Sequence, residues 1–69
     1  MATISQKFGE KIRKLRKVNK LTQEQLAETV KIDPKSIIEI EAGKRNPTLK
    51  TIYKLSKALK VSLPELFLL

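Results

Sequence analysis

The side chains of this sequence that could do chemistry are amide, basic and acidic groups concentrated between residues 22 and 47. They include Gln23, Lys35, Glu39 and Arg45. Such groups form hydrogen bonds and neutralise charge on a partner, but the chain has no cysteine or histidine for disulfides, zinc sites or histidine-based catalysis. We therefore expect a binding protein without a metal or other cofactor, and not an enzyme.

The charge balance indicates a polyanionic partner. Fifteen lysines and arginines against seven acidic residues give a net charge of +8, which favours nucleic acid first and an anionic membrane surface second. The membrane alternative is weaker, because no predicted helix pairs a basic face with a large exposed aromatic or leucine face. With no signal peptide and no run of about 18 apolar residues, we expect a cytoplasmic protein.

The length and the apolar spacing predict the elements that position these groups. A chain of 69 residues allows one domain, residues 1–69, with one small core and little room for a small-molecule pocket. Leu26 and Val30, then Ile37 and Ile40, place apolar side chains where two crossed helices would share one interior, with the small Ala27 at the crossing. The turn between them would be about three residues long, as in a helix-turn-helix.

Capping residues predict where these two helices begin and end. Thr22 and Gln25 form a capping box at the start of helix two. Asp33 is the expected N-cap of helix three and Pro34 its first residue, where no amide hydrogen is needed. Gly43 is expected to close helix three as its C-cap.

Three further helices complete the prediction. The first spans about residues 4–18, the fourth starts near Thr48 and ends before Val61, and a short fifth helix follows a capping box of Ser62 and Glu65. The residues expected to face inward from the first and fourth helices are Phe8, Ile12, Leu15, Val18, Leu49, Ile52, Leu55, Ser56 and Leu59.

Several short segments stand in a characteristic order and spacing. They are IRKLR (12–16), LTQEQLA (21–27), IIEIEAGK (37–44), Pro47 and LSKAL (55–59). The pattern closely resembles the Cro and phage-repressor type of helix-turn-helix domain over about residues 8–67. The resemblance implies an all-α, compact five-helix fold with the helix-turn-helix at helices 2 and 3. It also implies a sequence-specific regulator of transcription, a repressor or small controller protein, that binds double-stranded DNA as a homodimer on a palindromic operator.

Helix three would present its outward face to DNA. With Ile37 and Ile40 inward, a rotation of about 100° per residue sends Lys35, Ile38 and Glu39 outward, and the resemblance implies that this face enters the major groove. The predicted base contacts are Lys35, Glu39, Ser36, Pro34 and Ile38. Lysine suits guanine O6 and N7, a carboxylate accepts from cytosine N4, and isoleucine contacts a thymine methyl. Alternatively, Lys35 and Glu39 simply pair with each other, being four residues apart.

Two groups of residues are predicted DNA phosphate contacts. Gln23 and Thr22 lie at the start of helix two, where the helix N-terminus and an amide side chain together hold a phosphate, and the resemblance implies this role for the glutamine. The second group is Lys44, Arg45, Asn46 and Thr48. We expect charge-removing changes at Lys44 or Arg45 to weaken binding to all sequences alike.

Two further positions follow from the resemblance. Repressors of this type have an arginine and a glutamate at the positions of Arg16 and Glu41, which form a largely buried ion pair between helices one and three. The turn position usually held by glycine is Lys31. Since such turns often need a left-handed backbone, we expect this departure to affect stability more than function.

The C-terminal residues Leu66, Phe67, Leu68 and Leu69 are too apolar to be left in water. They are candidates for a dimer interface, although they could also cover the core or mark a domain cut from a longer protein. Core cover and dimer contact are both open for Leu66 and Phe67, whereas Leu68 and Leu69 favour the dimer.

Other functions remain open at this stage. An antitoxin that regulates its own operon would need a surface for its toxin, and few residues lie outside the five predicted helices. A nonspecific DNA-binding or protein-interaction module would use the same fold without reading bases. A specific regulator could repress by covering a promoter or activate by contacting RNA polymerase.

Overall fold

Five α-helices connected by short turns make up most of the chain in the computed structural model, which describes residues 1–69. They are α1 (Ile4–Val18), α2 (Gln23–Val30), α3 (Pro34–Glu41), α4 (Leu49–Ala58) and α5 (Leu63–Leu66). No strand is present. The predicted all-α five-helix fold, with the helix-turn-helix at α2 and α3, is confirmed. None of the helices has the length and apolar character needed to span a membrane.

Side-chain caps begin every helix. The N-caps are Thr3, Thr22, Asp33, Thr48 and Ser62. The predicted box at α2 is confirmed, because the Gln25 amide donates to Thr22 Oγ1 at 3.0 Å and the Thr22 amide donates to Gln25 Oε1 at 2.9 Å. At α5 only half of the predicted box forms, since the Glu65 amide donates to Ser62 Oγ at 3.3 Å without a return bond.

Each of the first four helices is followed, one or two positions after its last residue, by a residue in the left-handed backbone conformation. These residues are Lys20, Lys31, Gly43 and Lys60, with φ of 57°, 62°, 74° and 60°. At the end of α2 the Ile32 amide donates to the Ala27 carbonyl at 3.0 Å and the Lys31 amide to the Glu28 carbonyl at 3.2 Å, the pattern of a Schellman motif. The C-cap of α3 is Ala42, so the predicted cap, Gly43, lies one residue beyond the observed one.

The left-handed Lys31 leads to a stability prediction. A non-glycine residue in this conformation costs about 1–2 kcal/mol, while glycine loses roughly 0.5–1 kcal/mol through its more flexible unfolded chain. We expect Lys31→Gly to raise the melting temperature by roughly 3–6 °C. Lys14→Gly in the middle of α1, where the backbone is helical, is the control and should lower it. An unchanged or lower value for Lys31→Gly would mean that this turn is not strained.

The core lies where α1, α2, α3, α4 and α5 meet. Its buried apolar side chains are Phe8, Ile12, Leu26, Ala27, Val30, Ile37, Ile40, Leu55, Leu59 and Leu66. Two residues predicted to face inward do not: Val18 is 71% exposed and Leu49 is 78% exposed. Val18 is the last residue of α1 and Leu49 the first of α4. The apolar spacing of the sequence therefore extends to helix ends that no neighbouring helix covers.

Candidate nucleic-acid interface

The outward face of α3 carries the five predicted base-contact residues. Pro34, Lys35 and Ile38 are exposed, while Ser36 and Glu39 are half-buried. On the inward face, Ile37 and Ile40 are buried against the core. The Asp33 carboxylate accepts from the Lys35 amide at 2.8 Å and fixes the start of the helix. The rotation predicted from the apolar spacing is therefore the observed one.

Lys35 is the cation of this face that has no partner in the protein. The structure has two ion pairs, Arg16–Glu41 and Arg45–Glu39, and neither includes Lys35. The alternative in which Lys35 and Glu39 pair with each other is therefore absent from the structure. Its ammonium group remains available for a base acceptor or a phosphate.

Arg45 folds back from the loop after α3 onto the same face. Its Nη1 donates to Ser36 Oγ at 2.8 Å and to Glu39 Oε1 at 3.3 Å. Both side chains of the ion pair are substantially exposed, so the pair contributes little stability by itself. A residue predicted to hold a phosphate thus contacts two residues predicted to read bases, a link that sequence analysis missed.

The two groups of predicted phosphate contacts lie on opposite sides of α3. Gln23 lines a shallow pocket with Ile38, and Asn46 and Thr48 line another with Ser36. Since Ser36 and Ile38 are two residues apart, they point about 200° from one another around the helix. An element inserted in the major groove has a phosphate backbone on each side, so this placement suits the predicted roles.

Most of these candidate side chains already have an internal hydrogen bond. Gln23 Nε2 donates to Glu41 Oε1 at 3.2 Å, Asn46 Oδ1 accepts from the Ser5 hydroxyl, and Thr48 Oγ1 accepts from the Thr51 backbone amide at 3.2 Å. Thr22 is held by its capping box. Lys44 is exposed and makes no side-chain hydrogen bond or ion pair in the structure. The internal bonds fix the orientation of the first four side chains, whereas Lys44 is held by none.

Arg13 is a basic residue of α1 that sequence analysis did not include among the phosphate contacts. It is exposed and lines the same pocket as Gln23 and Ile38. Its spacing from Arg16 places both on one side of α1, which is the signal that could have identified it. We add Arg13 to the candidate phosphate contacts.

The ion pair of Arg16 and Glu41 fastens α3 to α1. Arg16 Nε donates to Glu41 Oε2 at 2.7 Å and Nη2 donates to Oε1 at 3.1 Å, while Nη1 donates to the Leu21 carbonyl at 2.9 Å. The side chains are only 11% and 4% exposed. Because Gln23 bonds to the same carboxylate, this cluster connects α1 and α3 to the N-terminus of α2.

Gly9 permits the close approach of α1 to α3, and sequence analysis did not identify it. A Cβ atom at this position would lie 2.3 Å from the Ile40 carbonyl oxygen and 2.7 Å from that of Glu41. Gly9 lies seven residues before Arg16, or about two turns, so both lie on the side of α1 that faces α3. The signal was a glycine inside a predicted helix, which is unfavourable unless packing requires it.

The C-terminal tail divides between the core and the surface. Leu66 is fully buried, so of the two roles left open for it the structure shows core cover and not a surface available for a dimer contact. The Phe67 ring stacks on Phe8 with centroids 5.8 Å apart and is half-exposed, and Leu68 and Leu69 are exposed. The residues lining an adjacent apolar groove include Ile4, Phe8, Pro47, Ile52, Phe67 and Leu69.

Comparison with known proteins agrees with this geometry. The family described as HTH_3, helix-turn-helix, matches residues 12–66. The chain belongs to this family. It is 41% identical over 63 residues to control protein C.SmaI of Serratia marcescens, covering 91% of this chain and 75% of that protein. It is 41% identical over 68 residues to control protein C.MunI of Mycoplasma sp., covering 97% and 92%.

A solved structure of a third controller protein has the same fold. The restriction-modification controller protein C.AhdI from Aeromonas hydrophila is 39% identical to this chain, with a TM-score of 0.87 over 90% of this chain and 94% of that chain. The resemblance drawn from the sequence is thus confirmed. This member of the HTH_3 family is a DNA-binding regulator of transcription.

Proposed function

We propose that this regulator is a controller protein of a restriction-modification system that binds a palindromic operator as a homodimer. The observation that carries the proposal is the outward face of α3, where Lys35 is free and candidate phosphate contacts lie on both sides. Similarity to three controller proteins over at least 90% of this chain supports it. The protein acts by binding and not as an enzyme.

DNA recognition divides between two kinds of contact. The α3 face enters the major groove, where Lys35 donates to guanine O6 and N7 and Ile38 contacts a thymine methyl. Gln23, Lys44 and Asn46 hold phosphates and set the register without reading sequence. The first amides of α2, those of Gln23 and Glu24, have no acceptor within the helix and add an anion site beside the Gln23 side chain.

The exposed apolar tail supports a homodimer. Leu68 and Leu69 remain outside the core, next to the half-exposed Phe67, and a second copy of this surface would cover them. The molecule measures 31 × 24 × 22 Å. A dimer of two copies side by side is therefore long enough to span one DNA turn, about 34 Å.

This dimer can be tested at Leu69. A buried leucine contributes about 1.5–3 kcal/mol, and a homodimer carries each change twice, so we expect Leu69→Asp to raise the dimer Kd by more than about a hundredfold. Analytical ultracentrifugation measures the Kd. Val18→Asp, at the other end of α1 from the groove and likewise at an exposed apolar residue, is the control and should leave the dimer Kd unchanged. A wild-type protein that stays monomeric on and off DNA would exclude the homodimer.

The regulatory role can be tested on the DNA upstream of the protein's own coding sequence. Footprinting with the purified protein should reveal a protected two-fold symmetric site, and a reporter fused to this DNA should respond to the protein. The protein concentration should be high enough to saturate a site that the protein selects from random duplex DNA. If the upstream region gives no footprint at that concentration, autoregulation as a controller is excluded.

A further inference from the structure

Arg45 and Glu39 form a charge pair on the candidate DNA-reading face. Glu39 is the one acidic side chain on the outward side of α3, since Glu41 is buried against Arg16. Arg45 reaches it from the loop after the helix, with Nη1 3.3 Å from Glu39 Oε1 and 2.8 Å from Ser36 Oγ. The three side chains form one cluster.

The ion pair offsets the repulsion that the Glu39 carboxylate alone would experience from the DNA phosphates. A lone carboxylate inserted between two phosphate backbones is repelled by both, so it would weaken every complex. With Arg45 against it, the charge of the cluster is zero before DNA arrives. The Ser36 hydroxyl is the second acceptor of Nη1, which holds the guanidinium beside α3 instead of free in solvent.

The cluster still has a hydrogen-bond acceptor that is free to contact a base. Arg45 engages only Oε1 of Glu39, and Oε2 has no hydrogen bond in the structure. A free carboxylate oxygen facing the major groove accepts from the N4 amino group of cytosine, the one base that presents only a donor there. Lys35, one helical turn earlier, suits the guanine of a neighbouring pair.

We propose that Arg45 is a positioning residue that orients and neutralises Glu39, so that Glu39 reads a cytosine in each half-site. This inference rests on the proposed function, because it requires sequence-specific binding through α3. It assigns to Arg45 a role in specificity in place of the sequence-based expectation of a phosphate contact. Removing Arg45 should therefore change which sequence is preferred, as removing Glu39 does.

The test is enrichment of random duplex DNA by the wild type and by four variants whose folding is checked by thermal melting. The variants are Arg45→Ala, Glu39→Gln, their double variant, and Lys44→Ala as the control from the same loop. The wild type should prefer cytosine at one position of each half-site by roughly tenfold. Arg45→Ala should reduce this preference to below about threefold, and Lys44→Ala should retain it.

Glu39→Gln gives the sharper result, because glutamine pairs with adenine N6 and N7 and needs no neutralising arginine. We expect it to shift the preference from cytosine to adenine, and the double variant to keep that shift. The salt dependence of DNA binding adds an independent readout, the slope of the logarithm of the binding constant against the logarithm of the salt concentration. Lys44→Ala should lower the magnitude of this slope by roughly 0.9 for each phosphate that is no longer neutralised. Arg45→Ala should lower the magnitude of the slope less.

The outcomes separate this inference from the proposed function. If Arg45→Ala keeps the cytosine preference and lowers the salt slope as much as Lys44→Ala does, Arg45 is a phosphate contact and the inference is overturned, while specific binding stands. If Glu39→Gln leaves the selected sequence unchanged, the inference is likewise overturned. If the wild type enriches no sequence, the proposed function fails and the inference fails with it.

Discussion

Gly9→Ala should lower the free energy of unfolding by about 2–3 kcal/mol, although alanine favours helices over glycine by about 1 kcal/mol. The added Cβ would lie 2.3 Å from one carbonyl oxygen of α3 and 2.7 Å from the next. Both atoms belong to the backbone, so no side chain can turn away and the two helices must separate. The melting temperature should fall by roughly 10–20 °C, measured by circular dichroism.

Glu10→Ala is the matched control for Gly9→Ala. It adds an alanine at the next position of α1, where the side chain is exposed, and should change the melting temperature little. Because the clash also displaces the C-terminal half of α3, Gly9→Ala should weaken DNA binding even below its melting temperature. If Gly9→Ala were as stable as the wild type, α1 and α3 would not be in the close contact described.

Glu41→Ala should produce the other large loss, about 3–5 kcal/mol, because it leaves the buried Arg16 guanidinium without its carboxylate. Only the Leu21 carbonyl would remain as a partner for Arg16. A domain of this size has few kcal/mol of stability in total, so we expect a large unfolded fraction at 25 °C. Denaturant unfolding measures the loss in the free energy of unfolding. DNA binding should fall in proportion to the unfolded fraction.

Two variants isolate the role of the buried charge. Glu41→Gln keeps the shape and an acceptor oxygen for Arg16, so it should be less destabilising than Glu41→Ala. Glu24→Ala removes an exposed acidic residue and should leave stability nearly unchanged. A Glu41→Ala protein that is fully stable but binds DNA poorly would mean that Glu41 acts at the DNA and not in the fold.

The framework of the fold could be predicted from the sequence because it depends on local signals. The caps Thr22 and Asp33 and the spacing of Ile37 and Ile40 determine where α2 and α3 begin and which side faces inward. The end of the apolar period could not be predicted in the same way. Val18 continues the pattern of α1, and its exposure depends on where the neighbouring helices stop.

The candidate site was predicted less completely because it depends on contacts between distant residues. The outward position of Lys35 follows from rotation along one helix. The contact of Arg45 with Glu39 depends on how the loop after α3 folds back, and the close approach at Gly9 depends on the distance between two helices. The resemblance to known repressors supplied the pairing of Arg16 with Glu41, which spacing alone does not give.

The central claim, that two copies of α3 read a symmetric DNA sequence, is tested most directly by enriching random duplex DNA with the wild-type protein at physiological salt. We predict recovery of a two-fold symmetric site whose half-sites are separated by about one helical turn, 10–10.5 bp. Binding that depends steeply on salt but enriches no sequence would contradict the claim and indicate a nonspecific DNA-binding protein.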